Sequence, residues 1–228
     1  MTRLRVASYN IHCGIGRDRR FDEERIFEVL QEIDADVVAL QEVEARASGI
    51  DMLDWLAKRT GFHAVAGTTV LRAESNYGNG LLTRCPVTRT RLLDLSFRRR
   101  EPRGAISADL DCGGEPIRIV ATHLGLRPAE RRDQVEQLLK LFRESPHDRA
   151  VLVGDLNEWF LWGRPLRKLH NYFKTTTSPR TFPAFCPVFA LDRLWGHPAS
   201  IVKDISVHCS PKARVASDHL PLVANLEF

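Results

Sequence analysis

The stretch Ala150-Val-Leu-Val-Gly-Asp155-Leu-Asn157 constrains the fold more than any other part of the chain. Four apolar residues run into a glycine, then an acid, then an amide two positions later. A short apolar run closed by glycine reads as a buried strand. In open α/β sheets, ligands bind outside the carboxyl ends of such strands. Asp155 and Asn157 are therefore expected at a strand's C-terminal lip, and the strand period of two puts both on one face. The plain alternative is an Asx turn that only ends the strand.

The same signature recurs along the chain. Leu4–Ile11 reads as a strand with Asn10 and His12 at its exit, and Asp36–Val43 as a second one ending at Glu42. Between them, Phe21–Ile33 carries a helical stripe of Ile26, Val29, Leu30 and Ile33, with acids at its positive N-terminus. Asp51–Thr60 reads as a helix stopped by Gly61. Residues 62–66 and 80–83 read as short strands on either side of Tyr77-Gly-Asn79-Gly80. Ala105–Leu110 and Ile117–Ala121 form a predicted hairpin turned at Cys112-Gly-Gly114, with His123 at its exit. The spacing predicts a helix over Pro128–Arg143. Ala190–Trp195 reads as a strand with an internal acid, Asp192, which must find a buried partner. Ser217-Asp218-His219 precedes a last strand over 222–226. No linker or low-complexity tract interrupts this alternation, so residues 1–228 read as one α/β domain.

Composition bounds the function. The chain is 43% hydrophobic and 27% charged, and no apolar run is long enough for a transmembrane helix. The N-terminus lacks an apolar signal core, so a cytoplasmic protein, free or peripheral to a membrane, is expected. A net charge of +4 suits an anionic partner without singling out nucleic acid. Cysteines 13, 85, 112, 186 and 209 form no Cys-x-x-Cys pair, which reads as free thiols of a reducing compartment and argues against thiolate zinc. The run Arg98-Arg-Arg100 with Arg103 is either a solvated loop or a substrate contact. Trp159-Phe-Leu-Trp162 is either a packed lid, an apolar wall for substrate, or a membrane-interface contact.

Collected together, the polar residues at strand exits are Asn10, Glu42, His123, Asp155, Asn157, Asp192, Asp218 and His219. Carboxylates and amides without thiolates favour a hard cation, Mg²⁺ or Mn²⁺. Carboxylates to orient water, with amide and imidazole donors for phosphoryl oxygens, match the needs of phosphoester hydrolysis.

In order, Ser-Tyr-Asn10-Ile-His, Leu-Gln-Glu42-Val, Tyr77-Gly-Asn79-Gly, Thr-His123-Leu, Gly-Asp155-Leu-Asn157, Leu-Asp192-Arg and Ser-Asp218-His219-Leu-Pro resemble the endonuclease/exonuclease/phosphatase (DNase-I-like) superfamily from residue 8 to 221. That resemblance implies a four-layer α/β sandwich, two mixed β-sheets face to face with helices outside. It implies Glu42 as the principal Mg²⁺ ligand, with Asn10 close to it and Asp218 helping at the metal or at a second metal position. Asp155 would act on the attacking water with Asn157 on the phosphate, His123 and His219 would stabilise the pentacovalent phosphorus, and Asp192 would orient His219. The identity of the general base stays open. Tyr77, Asn79, Arg127, Trp159 and Trp162 are expected on the substrate side. Without a long inserted nucleic-acid-binding loop, the chain is closer to small bacterial hydrolases of the group than to its abasic-DNA repair enzymes. The expectation is a monomeric, metal-dependent phosphodiesterase acting on a lipid-derived diester or on nucleic acid, with no protein partner implied. The alternatives are a phosphomonoesterase of a small metabolite and a non-catalytic binding protein of the same fold.

Overall fold

The computed structural model describes residues 1–46, 51–71, 75–174 and 176–228. In chain order these form β1 (Arg3–Asn10), α1 (Glu23–Ile33), β2 (Val37–Arg46), α2 (Met52–Thr60), β3 (His63–Leu71), β4 (Ser75–Thr83), β5 (Val87–Asp94), β6 (Gly104–Asp111), β7 (Pro116–His123), α3 (Pro128–Glu144), β8 (Ala150–Asp155), α4 (Arg164–Phe173), β9 (Asp192–His197), β10 (Val202–Val207), α5 (Ala213–Ala216) and β11 (Leu222–Glu227). A six-stranded sheet has the order β10-β11-β1-β2-β4-β3, and a five-stranded sheet the order β5-β6-β7-β8-β9. Each contains one parallel pair, β1 with β2 and β7 with β8, and both are otherwise antiparallel.

Hydrophobic patterning explains the layers. Val151 and Val153 of β8 join Val6, Val37, Ile119 and Ala121 in the core between the sheets. Leu152 points the other way, into a second core with Val135, Leu138 and Phe142 of α3 and Leu166 and Leu169 of α4. Both faces of β8 are therefore covered, which is why its sequence is continuously apolar rather than alternating. Each such buried aliphatic side chain contributes about 1.5–3 kcal/mol. A third core sits under α1 and α2, where Ile26, Val29, Leu30, Ile33, Leu53 and Leu56 pack on Ala7, Val38 and Leu40. The result is helix, sheet, sheet, helix: the expected four-layer sandwich. α1 starts two residues later than expected, with Asp22 as its cap at Arg25 N, and Gly61 ends α2 at φ 73° as its sequence signal requires.

Three readings need correction. Tyr77-Gly-Asn79-Gly80 lies inside β4, not between two short strands. A Cβ on Gly78 would stand 2.3 Å from Gly67 O, so the glycine allows β3 and β4 to pair closely. Asp192 opens β9 rather than lying within it. Cys85 and Cys112, read as free thiols, form a disulfide with Cα atoms 5.1 Å apart. The β5–β6 register pairs Val87 with Leu110 and thereby sets Cys85 opposite Cys112. A separation of 27 residues hides that register. The bond removes the cysteine argument for a reducing compartment. No helix among the described residues is long and apolar enough to cross a membrane.

Candidate active site

Topology gathers the polar residues at one edge. Parallel pairing carries the ends of β1 and β8 there, with Asn10 and Asp155, and β7 ends beside β8 at His123. Antiparallel β9 starts at the same edge because Asp192 is the register partner of Asp155. The loop before β11 crosses over the end of β1, held by Ser217 Oγ donating to Asn10 O at 2.7 Å, and so delivers Asp218 and His219. Glu42 is not at a strand exit. It sits in a β-bulge of β2, in the left-handed region at φ 56°, and β2 runs on to Arg46. Such a conformation costs about 1–3 kcal/mol and is held only where the surrounding structure imposes it.

Asp155 is the hub and is 1% exposed. Its Oδ2 accepts from Asn10 Nδ2 at 3.1 Å and lies 3.5 Å from His123 Nε2 and 3.8 Å from His219 Nε2. Its Oδ1 accepts from Asn157 N at 2.8 Å. Asn157 is at φ 49°, so an Asx turn, not strand alternation, brings the two side chains to one side. The glycine before Asp155 is equally specific. A Cβ at Gly154 would lie 1.9 Å from Thr122 O, so only glycine lets β8 run this close to β7. Asn10 links the two sheets, also donating to Glu42 Oε1 at 3.2 Å, while its own Oδ1 accepts from His12 N.

The two histidines are in opposite states. His219 Nδ1 donates to Asp192 Oδ2 at 2.8 Å, and Thr181 Oγ1 donates to the same oxygen at 2.6 Å. Burial alone would lower His219, but Asp192 and Asp155, with Asp218, hold it up at about 10, so it is an imidazolium at neutral pH. Burial pushes His123 down to about 3, against the pull of Asp155 and with help from Arg103 and His219, so it is neutral. The buried Arg103 places Nη1 at 2.9 Å from His123 Nδ1. A guanidinium has donors only, so Nδ1 accepts and Nε2 carries the hydrogen. Asn157 Nδ2, which gives one hydrogen to Leu124 O at 2.9 Å, lies 3.0 Å from that Nε2. Two donors therefore stand side by side beside Asp155, and an anionic oxygen satisfies both. Replacing Arg103 with methionine frees the tautomer. We expect a loss of about 10²-fold in turnover, the scale of one preorganised donor. Arg103→Lys should rescue it partly, and ring ¹⁵N shifts should show the Nε2–H form of His123 in the wild type alone.

The donor set also fits a divalent cation. The Glu42 carboxyl is raised by burial and by the charges of Asp218 and Asp155, against the Asn10 hydrogen bond and His12. Asp218 stands at the half-exposed rim, 3.9 Å from His12 Nδ1. Acidic neighbours that raise the Glu42 carboxyl are what a hard cation relieves. Ligand atoms of Asp155, Asp192 and His219 also lie within 4.8 Å of one another. There the imidazolium and Thr181 already occupy Asp192, so that trio is charge-paired.

The sequence profile of the endonuclease/exonuclease/phosphatase family matches residues 7–219. The chain belongs to the endonuclease/exonuclease/phosphatase family. The family is one of phosphoester hydrolases that typically use divalent metals. Among relatives, the Escherichia coli protein named "Uncharacterized protein YbhP" is 29% identical over 245 aligned positions, which take in 99% of this chain and 96% of that one. The fold is shared with an endonuclease/exonuclease/phosphatase from Beutenbergia cavernae (TM-score 0.82, 23% identity, 100% of this chain and 72% of that one). It is shared also with the human Nocturnin catalytic domain (TM-score 0.71, 16% identity, 99% and 94%).

The family's polar residues thus meet at one edge, while those expected on the substrate side divide. Tyr77 is half-buried near Glu42, its hydroxyl raised first by burial and then by that charge. Asn79 turns inward and donates to Gly104 O at 2.9 Å, tying β4 to β6. Arg127 is exposed at the start of α3, over a cavity of about 220 Å³ lined also by Arg100, Arg103 and Leu126. The Trp159 ring lies 4.7 Å from Phe189 and 5.7 Å from Phe182, and Phe182 lies 4.8 Å from His219. Trp162 is exposed. Arg103 and Thr181 are the site residues that sequence reasoning missed. Arg103 was grouped with a basic run whose other members, Arg98, Arg99 and Arg100, are solvent-exposed.

Proposed function

We propose that this protein is a Mg²⁺-dependent phosphodiesterase that hydrolyses a P–O bond by in-line attack of water. The observation that carries the reading is Asp155, a buried carboxylate flanked by the His123–Asn157 donor pair on one side and the His219 imidazolium on the other. Asp155 orients the water and takes up its proton. His123 Nε2–H and Asn157 Nδ2–H receive a phosphoryl oxygen, and their geometry is set before substrate arrives. The imidazolium of His219, fixed by Asp192 and Thr181, faces the negative charge that builds on the transferring group. Glu42 with Asp218 would hold Mg²⁺ or Mn²⁺, which when bound neutralises the phosphate and the leaving oxygen. A diester is favoured over a monoester by charge. Arg103 is engaged with His123 and with Glu101 at 3.2 Å, which leaves His219 as the cation facing Asp155. One negative charge asks for less than two.

The apolar Trp159–Trp162 loop beside the site favours a lipid-derived diester, and the exposed Arg98–Arg100 run supports nucleic acid as a second reading. The class is tested with a matched chromogenic phosphodiester and phosphomonoester at fixed Mg²⁺ and in chelator. Diester turnover that chelator abolishes is the expected result. Monoester preference would replace the reading with a phosphatase of a small metabolite, and metal-independent turnover would overturn the cofactor assignment.

A further inference from the structure

Residues 159–191 contain five Lys/Arg and not one Asp or Glu, in a chain that is 27% charged. The same stretch holds an unusual share of exposed apolar surface. In the loop after Glu158, Phe160 is 57% exposed, Leu161 60% and Trp162 73%. In the segment before β9, Phe185 is 56% exposed, with Val188 and Phe189 beside it in sequence. The two segments meet where the Trp159 ring packs on Phe182 and Phe189, and Phe182 reaches His219, so the apolar surface begins at the wall of the catalytic edge.

The tips are held out deliberately. Glu158 is buried and accepts from Arg131 Nε at 3.1 Å and from Phe160 N at 3.2 Å. Arg131 is itself anchored to Leu126 O at 2.7 Å. A buried ion pair is a costly way to fix a loop that only needed covering. The exposed side chains it fixes are aliphatic as well as aromatic. The basic frame is close at hand. Arg17 lies over the Phe185 ring at 4.8 Å, Arg214 donates to Phe185 O at 2.9 Å, and Arg164 follows the loop directly.

We propose that this aromatic face docks the protein on anionic bilayers, with Phe160, Leu161 and Trp162 entering the headgroup layer. Apolar tips framed by arginines combine the two terms that hold a peripheral protein on such a surface. Single-stranded nucleic acid would ask for flat aromatic platforms, and exposed Leu161 and Val188 offer bases nothing to stack on. Docking does not depend on the hydrolase reading. Where that reading holds, docking sets the cleft against phospholipid.

The test is co-sedimentation of the full chain with extruded vesicles of phosphatidylcholine alone and of phosphatidylcholine mixed with phosphatidylglycerol. The wild type should partition about tenfold more strongly onto the anionic vesicles. The double substitution Phe160→Ser with Leu161→Ser should lower that partition about tenfold or more. Arg164→Glu should erase the preference for phosphatidylglycerol and leave weak binding to both. Both variants should melt within a few degrees of the wild type, which reports that they fold. Wild-type protein left in the supernatant with both vesicles would overturn the proposal. So would retention of a single-stranded oligonucleotide that the same substitutions abolish while vesicle binding is absent. Failure of the chromogenic diester assay in the wild type strikes the hydrolase reading and leaves the vesicle result standing.

Discussion

Asp155→Asn is expected to lower diester turnover by about 10²–10⁴-fold, the range for losing a positioned general base. The backbone around it should survive, because an asparagine oxygen still accepts from Asn157 N. The other side of the new amide is the problem. Asn10 Nδ2, His123 Nε2 and His219 Nε2 all face Asp155 Oδ2, and an NH₂ there sets donor against donors. A buried group left unpaired costs about 1–3 kcal/mol. Relief of repulsion with Glu42 and Asp218 works in the other direction, since Asp155 helps to raise Glu42. The two terms offset, so the melting temperature should move by only a few degrees, about 2–4 °C per kcal/mol at this chain length. His219 should also titrate lower, having lost one of the carboxylates that hold it up. Turnover within a few-fold of wild type would remove Asp155 from the chemistry. A variant that is inactive and unfolded would be answered by Asp155→Ser, which offers no clashing amide.

How much of this was written in the sequence depends on the range of the interaction. Local signals were sufficient for α1, α2 and α3, though not for the short α5. The stripe of α1, its Asp22 cap and the Gly61 stop of α2 each depend on neighbours within one or two turns. The apolar run into Asp155 was sufficient for β8, because a strand covered on both faces leaves a pattern that needs no partner to be read. Register was the limit. That Cys85 faces Cys112, that Asp192 opens β9 opposite Asp155, and that Glu42 turns in a bulge rather than at an exit follow from how strands align, which no single strand encodes. Arg103 failed for a related reason. Its neighbours Arg98, Arg99 and Arg100 are solvated, and only the β6–β7 pairing that brings Ala105 opposite Thr122 sets Arg103 beside His123. The Asp155–Asn157 pair shows a right placement reached through a different geometry, since the turn offered as the plain alternative is itself what aims both side chains.

Glu42→Gln separates the cation site from the base. Glutamine keeps an oxygen for Asn10 Nδ2 and removes the charge, so the corner loses its pull on a hard cation while its packing persists. At limiting Mg²⁺ the rate should fall about 10²-fold and recover in part as the metal is raised, whereas Asp155→Asn should not recover. Stability gives a reading independent of turnover. The folded state holds the Glu42 carboxyl above its ordinary value, so its ionised form is disfavoured there. That group's contribution is therefore most favourable below the ordinary glutamate range and is lost as pH rises through the raised folded value. At neutral pH the metal-free wild type therefore carries a penalty that glutamine lacks, and metal-free Glu42→Gln should melt above metal-free wild type. Mg²⁺ should reverse the order. A ligand at a hundredfold its Kd adds about 2.7 kcal/mol, which is a rise of about 5–10 °C for a chain of this length. That rise should appear in the wild type and be largely absent in the variant. Equal Mg²⁺ shifts in both proteins would take the cation away from Glu42, and an unshifted wild type would take it away from this edge altogether.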